Sequence, residues 1–389
     1  MRLVPSLNIG FAPRVAGLYA AFFVVAGISH PFLPVWMSAK GLDPATIGLV
    51  LAAPMLMRIL IIPVATRQAD RRDALRGAIV GAACAAVAGY ALMGLASGAG
   101  QILIAYALAS LGFTPLMPLS ETYALKGLTA RGRAYGPVRL WGSMTYIIGN
   151  LAAGVALDII PARHIIWMVA AASFGTALAA YCLQPVSTAA AVASAPETRH
   201  RSLLRDPVFI TVVVASSLIQ ASHAVFYGFS AMAWQSAGLD GNVIAALWAL
   251  GVAAEIVLFA FSGRLPPFIG PTMLLMIGAG GAIARWGGMA FDPPVLVLPW
   301  LQLLHALSFG ATHLGALGFV TRQAPAGQSA TAQGYLAIAQ GVTMAGAMGI
   351  SGILYARFGD LAYAAMALAA VAGGVCAVLA HRARDQAAH

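Results

Sequence analysis

Five ionisable residues fall inside stretches that otherwise read as membrane-spanning helices: Arg58, Glu121, Arg139, Glu255 and Arg285. At the centre of a bilayer each costs roughly 2.5–3.5 kcal/mol on insertion scales. Such charges persist where they pair with one another or line a wet path. The chemistry they imply is therefore the movement of something polar across a membrane. Glu121 and Arg139 lie near the inner ends of neighbouring spans, so their depths match. Each removes the other's desolvation problem, and the pair fits either a substrate site or a static bridge. Glu255, Arg285 and His305 fall on three consecutive spans. At 1.5 Å per residue they sit ~18, ~9 and ~15 Å from the outer ends of those spans. A carboxylate beside an imidazole and a guanidinium can relay a proton, because each charge tunes the others. The alternative is an ion pair that only fastens the helices together.

Arg58 has no carboxylate on its own span. It faces a cavity and attracts an anion, or it reaches down to Asp70 or Asp73. With all five charges ionised the interior carries three positive and two negative groups, a surplus that favours an organic anion over a cation. His30 and His223 read first as hydrogen-bonded packing residues. His313, two turns after His305, shares its face. No pair of histidines stands in a zinc-like pattern with a carboxylate, so neither a metal nor a cofactor is expected. Tyr227 is the aromatic best placed to line a cavity and stack on a substrate ring. Trp36 and Trp234, near outer ends, read as interfacial anchors.

The elements that must position these groups follow from composition. The chain is 60% hydrophobic and 9% charged, with mean hydropathy +0.85. A soluble domain carries about 25% charged residues, so this is an all-α, polytopic membrane protein. Cys84, Cys182 and Cys376 lie within apolar runs without metal-ligand spacing and read as small core residues. The first apolar run, Val15 to Met37, is too long for the core of a signal peptide. Charged and turn-forming clusters cut the chain into twelve spans near the roughly 20 residues a bilayer requires. They cover about 15–38, 44–66, 74–96, 101–125, 137–158, 164–184, 207–236, 243–262, 270–291, 295–321, 333–355 and 361–380. Prolines 54, 63, 115 and 118 would kink spans two and four.

With the amino terminus inside, sixteen of the 22 Lys and Arg residues fall on the cytoplasmic side, among them Arg67, Arg71, Arg72, Arg76 and Arg201. The outer loops keep only Lys40, Arg163 and Arg357. The positive-inside rule therefore puts both termini in the cytoplasm. It also explains the net charge of +10 as topology rather than as affinity for nucleic acid. The longest polar linker, Pro185 to Asp206, divides the chain six plus six. The expected organisation is an amino-terminal half (1–184), a cytoplasmic linker (185–206), a carboxy-terminal half (207–380) and a short tail (381–389).

The halves echo each other. Ser29-His30 precedes Gly41-Leu42-Asp43, and Ser222-His223 precedes Gly238-Leu239-Asp240. Fifteen residues beyond Asp43 comes Arg58; fifteen beyond Asp240 comes Glu255. Opposite charges thus occupy matching depths of spans two and eight. Glycines in span five (Gly142, Gly149, Gly154) and span eleven (Gly341, Gly346, Gly349, Gly352) allow close helix approach.

Several stretches carry a family resemblance: PLSETYAL (Pro118 to Leu125), YGPVRLWGS (Tyr135 to Ser143), QASHAVFYGFSAMAWQSAG (Gln220 to Gly238), LWALGVAAEIVLFAFS (Leu247 to Ser262), Arg285-Trp286-Gly287 and LQLLH (Leu301 to His305). The chain resembles the 3-phenylpropionate permease group of the major facilitator superfamily, related to lactose-permease-like proton symporters. The resemblance implies twelve helices in two six-helix halves that rock to alternate access. It implies that Glu121 and Arg139 hold substrate and that Glu255, Arg285 and His305 handle the proton. In those relatives a second carboxylate follows the histidine by one turn, where this chain has Ser308. The superfamily loop G-x-x-x-D-R-x-G-R-R appears here as TRQADRRDALR (Thr66 to Arg76). Asp70 and Arg71 survive as a candidate gating latch.

The expected function is proton-coupled uptake of a small organic solute, with a phenylpropionate-like aromatic acid as one candidate. The protein would sit as a multi-pass monomer in the inner membrane, its partners being the solute, protons and the bilayer. A proton-driven exporter and a sugar or nucleoside symporter remain alternatives. A non-transporting assembly factor would be free to lose its buried charges. No nucleophile elbow, H-E-x-x-H or P-loop is present, so an enzyme or direct ATP coupling is not expected.

Overall fold

A computed structural model describes residues 10–71, 74–186, 203–266, 268–324 and 329–388, with side chains 66–71, 329–330, 385 and 387–388 excluded. Among the described residues the regular structure is entirely helical. The first helices are α1 (Phe11–Ala39), α2 (Pro44–Arg71), α3 (Leu75–Leu95), α4 (Ala99–Thr129), α5 (Gly136–Ile159) and α6 (Ile165–Tyr181). Then come α7 (Pro207–Ala221), α8 (Ala224–Ser236), α9 (Gly241–Phe261), α10 (Pro271–Met289), α11 (Leu298–Leu303), α12 (Thr312–Gln323), α13 (Ser329–Phe358) and α14 (Ala362–Ala388). Ten stretches are long and apolar enough to cross a membrane. The last, Thr331–Arg384, holds both α13 and α14, divided by a turn at Gly359–Leu361.

These sequences are apolar all round, as helices buried in protein on one side and lipid on the other must be. Large aliphatic and aromatic side chains stay exposed along them, including Leu60, Ile104, Ile148, Phe174, Ile353 and Leu368. A contiguous apolar exterior on this scale marks a membrane surface. Cys84 and Cys182 belong to this exterior. That corrects their reading as core residues: small size alone does not choose the inward face of an all-apolar helix. Trp36 and Trp234 are corrected the other way. Both are buried, at 0% and 5% exposure, so they pack rather than anchor at an interface.

The chain forms two compact units: residues 1–33 with 60–191, and residues 34–59 with 192–389. In the first, Tyr19, Ile79, Leu116, Tyr123 and Ala180 form a core shared by α1, α3, α4 and α6. In the second, Phe209, Leu275, Phe319, Leu336 and Ala377 unite α7, α10, α12, α13 and α14. The second unit also contains the first half of α2, where Gly48 meets Gly352 of α13 so closely that a Cβ on Gly48 would lie 2.8 Å from the Cα of Gly352. Gly346 and Gly349, by contrast, face open space.

The internal repeat is visible in the backbone. Gly41 and Gly238 adopt the same left-handed conformation, φ 87° and 85°, which a side chain would resist. The amide of Leu42 donates to Met37 O at 3.2 Å, and that of Leu239 to Trp234 O at 2.9 Å. Both are the six-to-one closure that ends a helix at a glycine. Asp43 then caps α2, accepting from the Thr46 amide at 3.0 Å and the Thr46 hydroxyl at 2.6 Å. These bonds hold the Asp43 carboxyl below the ordinary aspartate value of 3.8.

Two helical irregularities shape the second unit. Span seven is not one helix: α7 ends at Ala221 and α8 begins at Ala224, with Ser222 and His223 at the break. The helix of span ten widens into a π-turn, Ala306–Ala311, between α11 and α12. Such π-turns are rare and cluster at functional sites.

Candidate functional site

In the second unit, α10 delivers Arg285 to a wholly buried position, and every group it meets is an acceptor or a ring. Its Nη2 donates to Gln302 Oε1 at 2.6 Å, and its Nη1 to His305 Nδ1 at 2.9 Å and Ser308 Oγ at 3.4 Å. The guanidinium lies 4.4 Å from the ring centre of Phe226 and 4.6 Å from that of Trp286. Stacking on aromatic faces is what a planar, weakly hydrated cation accepts in a dry site. Arg285 Nε and Gln302 Nε2 have no hydrogen-bond partner among the described residues.

Arginine only donates, so this geometry fixes the histidine tautomers. His305 Nδ1 must accept, which leaves the neutral ring's proton on Nε2. That nitrogen lies 3.4 Å from Glu255 Oε2 on α9. On the other side, Ser308 accepts from Arg285 and lies 3.2 Å from His223 Nε2. His223 Nδ1 faces the carbonyls of Gln220 and Ile219 at 3.1 and 3.2 Å, so it donates there and its Nε2 accepts the Ser308 proton. Every bond thus points outward from Arg285, through His305 to Glu255 and through Ser308 to His223. Glu255, its side chain 18% exposed, is the wet end.

The local sequence builds this arrangement. The break at Ser222-His223 turns the His223 ring inward, and Ser222 Oγ accepts from Trp286 Nε1 at 2.8 Å. Gly251 of α9 lets His305 pack close; a Cβ there would lie 3.3 Å from the His305 Cβ. Gly310, in the π-turn, leaves room for Glu255: a Cβ there would lie 3.6 Å from Glu255 Cγ and 2.9 Å from Leu258 Cδ2.

Tyr227 joins this cluster. It is half-buried, 5.6 Å from the His223 ring and 6.0 Å from Trp248, within electrostatic reach of Arg285 and Glu255. His223 was not among the sequence-derived site residues. The signal that pointed to it was its repeat mate His30, which in the first unit approaches Tyr146 Oη at 3.4 Å.

In the first unit, Glu121 of α4 and Arg139 of α5 meet α1 around two tyrosines. Tyr135, the residue before α5, shares a side-chain hydrogen bond with Glu121. A carboxylate only accepts, so Tyr135 donates to it and takes the Tyr19 hydroxyl proton across 3.3 Å. Arg139 lies 4.3 Å from the Phe23 ring centre and 5.6 Å from that of Tyr19. Its guanidinium folds back over Gly142, where a Cβ would lie 2.9 Å from Nη1. Arg139 and Glu121 are both half-buried. The result is a cation beside an aromatic face, with a carboxylate tied to a phenol: groups able to take a carboxylate and a ring.

Arg58 stands exposed on the part of α2 that belongs to the second unit. The Asp70 and Arg71 side chains lie outside the described residues, as does Asp73.

All-helical spans, a glycine turn repeated at Gly41 and Gly238, and buried charge networks define a polytopic membrane protein of the transporter class. The chain belongs to the MFS_1-like family, whose description matches residues 13–382. It is 31% identical over 361 residues to a protein described as a "Probable 3-phenylpropionic acid transporter" of Escherichia coli (strain K12), covering 91% of this chain and 93% of that one. A maltose permease of Geobacillus stearothermophilus is 27% identical, with 83% and 82% covered. Among solved structures, the nucleoside transporter NupG superposes with a TM-score of 0.83 at 14% identity, over 96% of this chain and 99% of that one. A D-xylose–proton symporter superposes with a TM-score of 0.71 at 13% identity, over 95% and 97%. These relatives and neighbours are transporters, not enzymes.

Proposed function

We propose that this protein is a proton-coupled importer of a small organic anion, an aromatic acid of the phenylpropionate type, working by alternating access. The observation that carries the reading is the Arg285–His305–Glu255 chain. When Glu255 is ionised, its carboxylate answers a guanidinium that is otherwise buried among neutral acceptors. When Glu255 takes a proton, that answering charge is gone, and an uncompensated buried charge costs several kcal/mol. Proton occupancy is thereby written into the energy of α9, α10 and the π-turn, which is what a coupled conformational cycle needs.

In this reading Arg139 receives the substrate carboxylate. Glu121 positions the site through Tyr135, and Phe23 offers a ring face; Tyr227 and Arg58 keep the substrate-binding role that the sequence assigns them. Asp70 and Arg71 serve as the cytoplasmic latch. α7 with α8 and α11 with α12 each make one crossing, α13 and α14 make two, and α10 makes one more. The chain then crosses an inner membrane twelve times, both termini in the cytoplasm. It acts as a monomer of two halves, 1–184 and 207–380, joined by the linker 185–206 and followed by a tail, 381–389.

The maltose permease and nucleoside transporter among the relatives favour a neutral polyol as the second reading. Uptake of 3-phenylpropionate, maltose and uridine into proteoliposomes, with and without an imposed proton gradient, tests both. Gradient-dependent accumulation of 3-phenylpropionate is expected. Accumulation of maltose or uridine instead selects the second reading, and uptake indifferent to the gradient removes proton coupling.

A further inference from the structure

We propose that His313 is the proton's exit station, taking the proton from Glu255 and handing it to water. The proposal rests on the proton-coupled reading above. His305 is a poor candidate for the task despite its closeness to Glu255. Its Nδ1 is held by Arg285 at 2.9 Å. To become imidazolium it would have to present an N–H to a buried guanidinium and displace it. The proton on Glu255 therefore needs another acceptor.

His313 is placed to be that acceptor. The His305 and Phe309 rings stack at 5.2 Å and 16°, and the Phe309 and His313 rings at 6.1 Å and 5°. The three form a ladder down one face, in which Phe309 separates the dry histidine from the second one. From α9, Phe259 approaches His313 at 6.1 Å, one helical turn beyond Glu255. Gly310, between the two histidines in sequence, lets Glu255 and Phe259 approach: a Cβ there would lie 3.6 Å from Glu255 Cγ and 3.6 Å from Phe259 Cε1. Glu255 lies within electrostatic reach of His313. Exposure completes the order: Arg285 and His223 are fully buried and His305 nearly so, Glu255 is partly wet, and His313 is exposed.

The step balances simply. The O–H bond of the Glu255 carboxylic acid breaks, and an N–H bond forms on the unprotonated ring nitrogen of His313, directly or through one water. A carboxylate and an imidazolium result. The carboxylate regains the His305 Nε2–H, and the imidazolium releases its proton to a water, returning to the neutral ring.

The test uses the full chain in proteoliposomes, with 3-phenylpropionate, maltose and uridine as probes. His313→Gln is expected to slow gradient-driven accumulation on the order of 10²-fold, the usual contribution of one proton-transfer group. Exchange of labelled for unlabelled solute needs no net proton movement and is expected to run at the unsubstituted rate, which also shows that the variant folds. Imidazole added to the buffer on both faces is expected to restore accumulation in His313→Gln and to do nothing for Glu255→Gln. Normal accumulation by His313→Gln, alongside failure of Glu255→Gln, overturns the assignment of His313 and leaves proton coupling standing. Slowed accumulation that imidazole does not restore assigns His313 a packing role and also overturns it. Normal accumulation by Glu255→Gln, or no gradient-dependent accumulation of any probe, removes the proton-coupled reading and this proposal with it.

Discussion

Arg285 can be fully buried because its hydrogen bonds fork. One nitrogen serves Gln302 and the other serves His305 and Ser308. Lysine keeps the charge but has no planar fork. Arg285→Lys is therefore expected to abolish gradient-driven accumulation and to lower the melting temperature in detergent. Arg285→Ala, which also strands Glu255 and His305, is expected to cost about 3–5 kcal/mol. At the other site, the Arg139 guanidinium rests over Gly142 and beside Phe23. Gly142→Val pushes the guanidinium off its ring, and substrate binding is expected to weaken about tenfold or more by equilibrium binding or exchange, with the fold retained. The approach of Arg285, His305 and Glu255 was readable from sequence because depth along a helix follows from counting residues. The roles of Ser308, His223 and Gly142 were not. They depend on which way a ring or hydroxyl points, and helix counting says nothing of that. Ser308 is the residue through which His223 enters the network.

At the scale of elements, the site is built from departures from regular helix. The break at Ser222-His223 and the π-turn at Ala306–Ala311 turn His223, His305 and Ser308 toward Arg285. Neither departure has a proline or a charge to announce it, which is why spans seven and ten read as single helices. Pro54, Pro63, Pro115 and Pro118, read as kinks, lie inside α2 and α4, which continue past them. The repeated glycine turn was legible, because a left-handed residue followed by a cap is written in local sequence. Asp43 is its testable member. Asp43→Ala removes the cap of α2 and is expected to cost about 1 kcal/mol. The carboxyl is depressed by its Thr46 bonds, so its contribution is present above the ordinary aspartate value and lost as pH falls through the folded value. Thermal unfolding of the unsubstituted protein and of Asp43→Ala should therefore differ at pH 7 and converge as the pH falls well below the ordinary aspartate value.

For the whole molecule, the family and the all-helical, membrane-spanning class follow from apolar length, the side on which basic residues accumulate, and a two-fold repeat. Those are properties of long segments and survive local error. What composition leaves open is which intramembrane carboxylate carries the proton, since each half of the chain holds one. Their surroundings differ: Glu255 ends a chain of donors that starts at a wholly buried cation, while Glu121 is tied to a phenol beside an aromatic face. The most direct test is a paired measurement on Glu255→Gln in proteoliposomes, using 3-phenylpropionate. Loss of accumulation under an imposed proton gradient, with solute exchange preserved, is the predicted result. Accumulation equal to that of the unsubstituted protein would contradict the account.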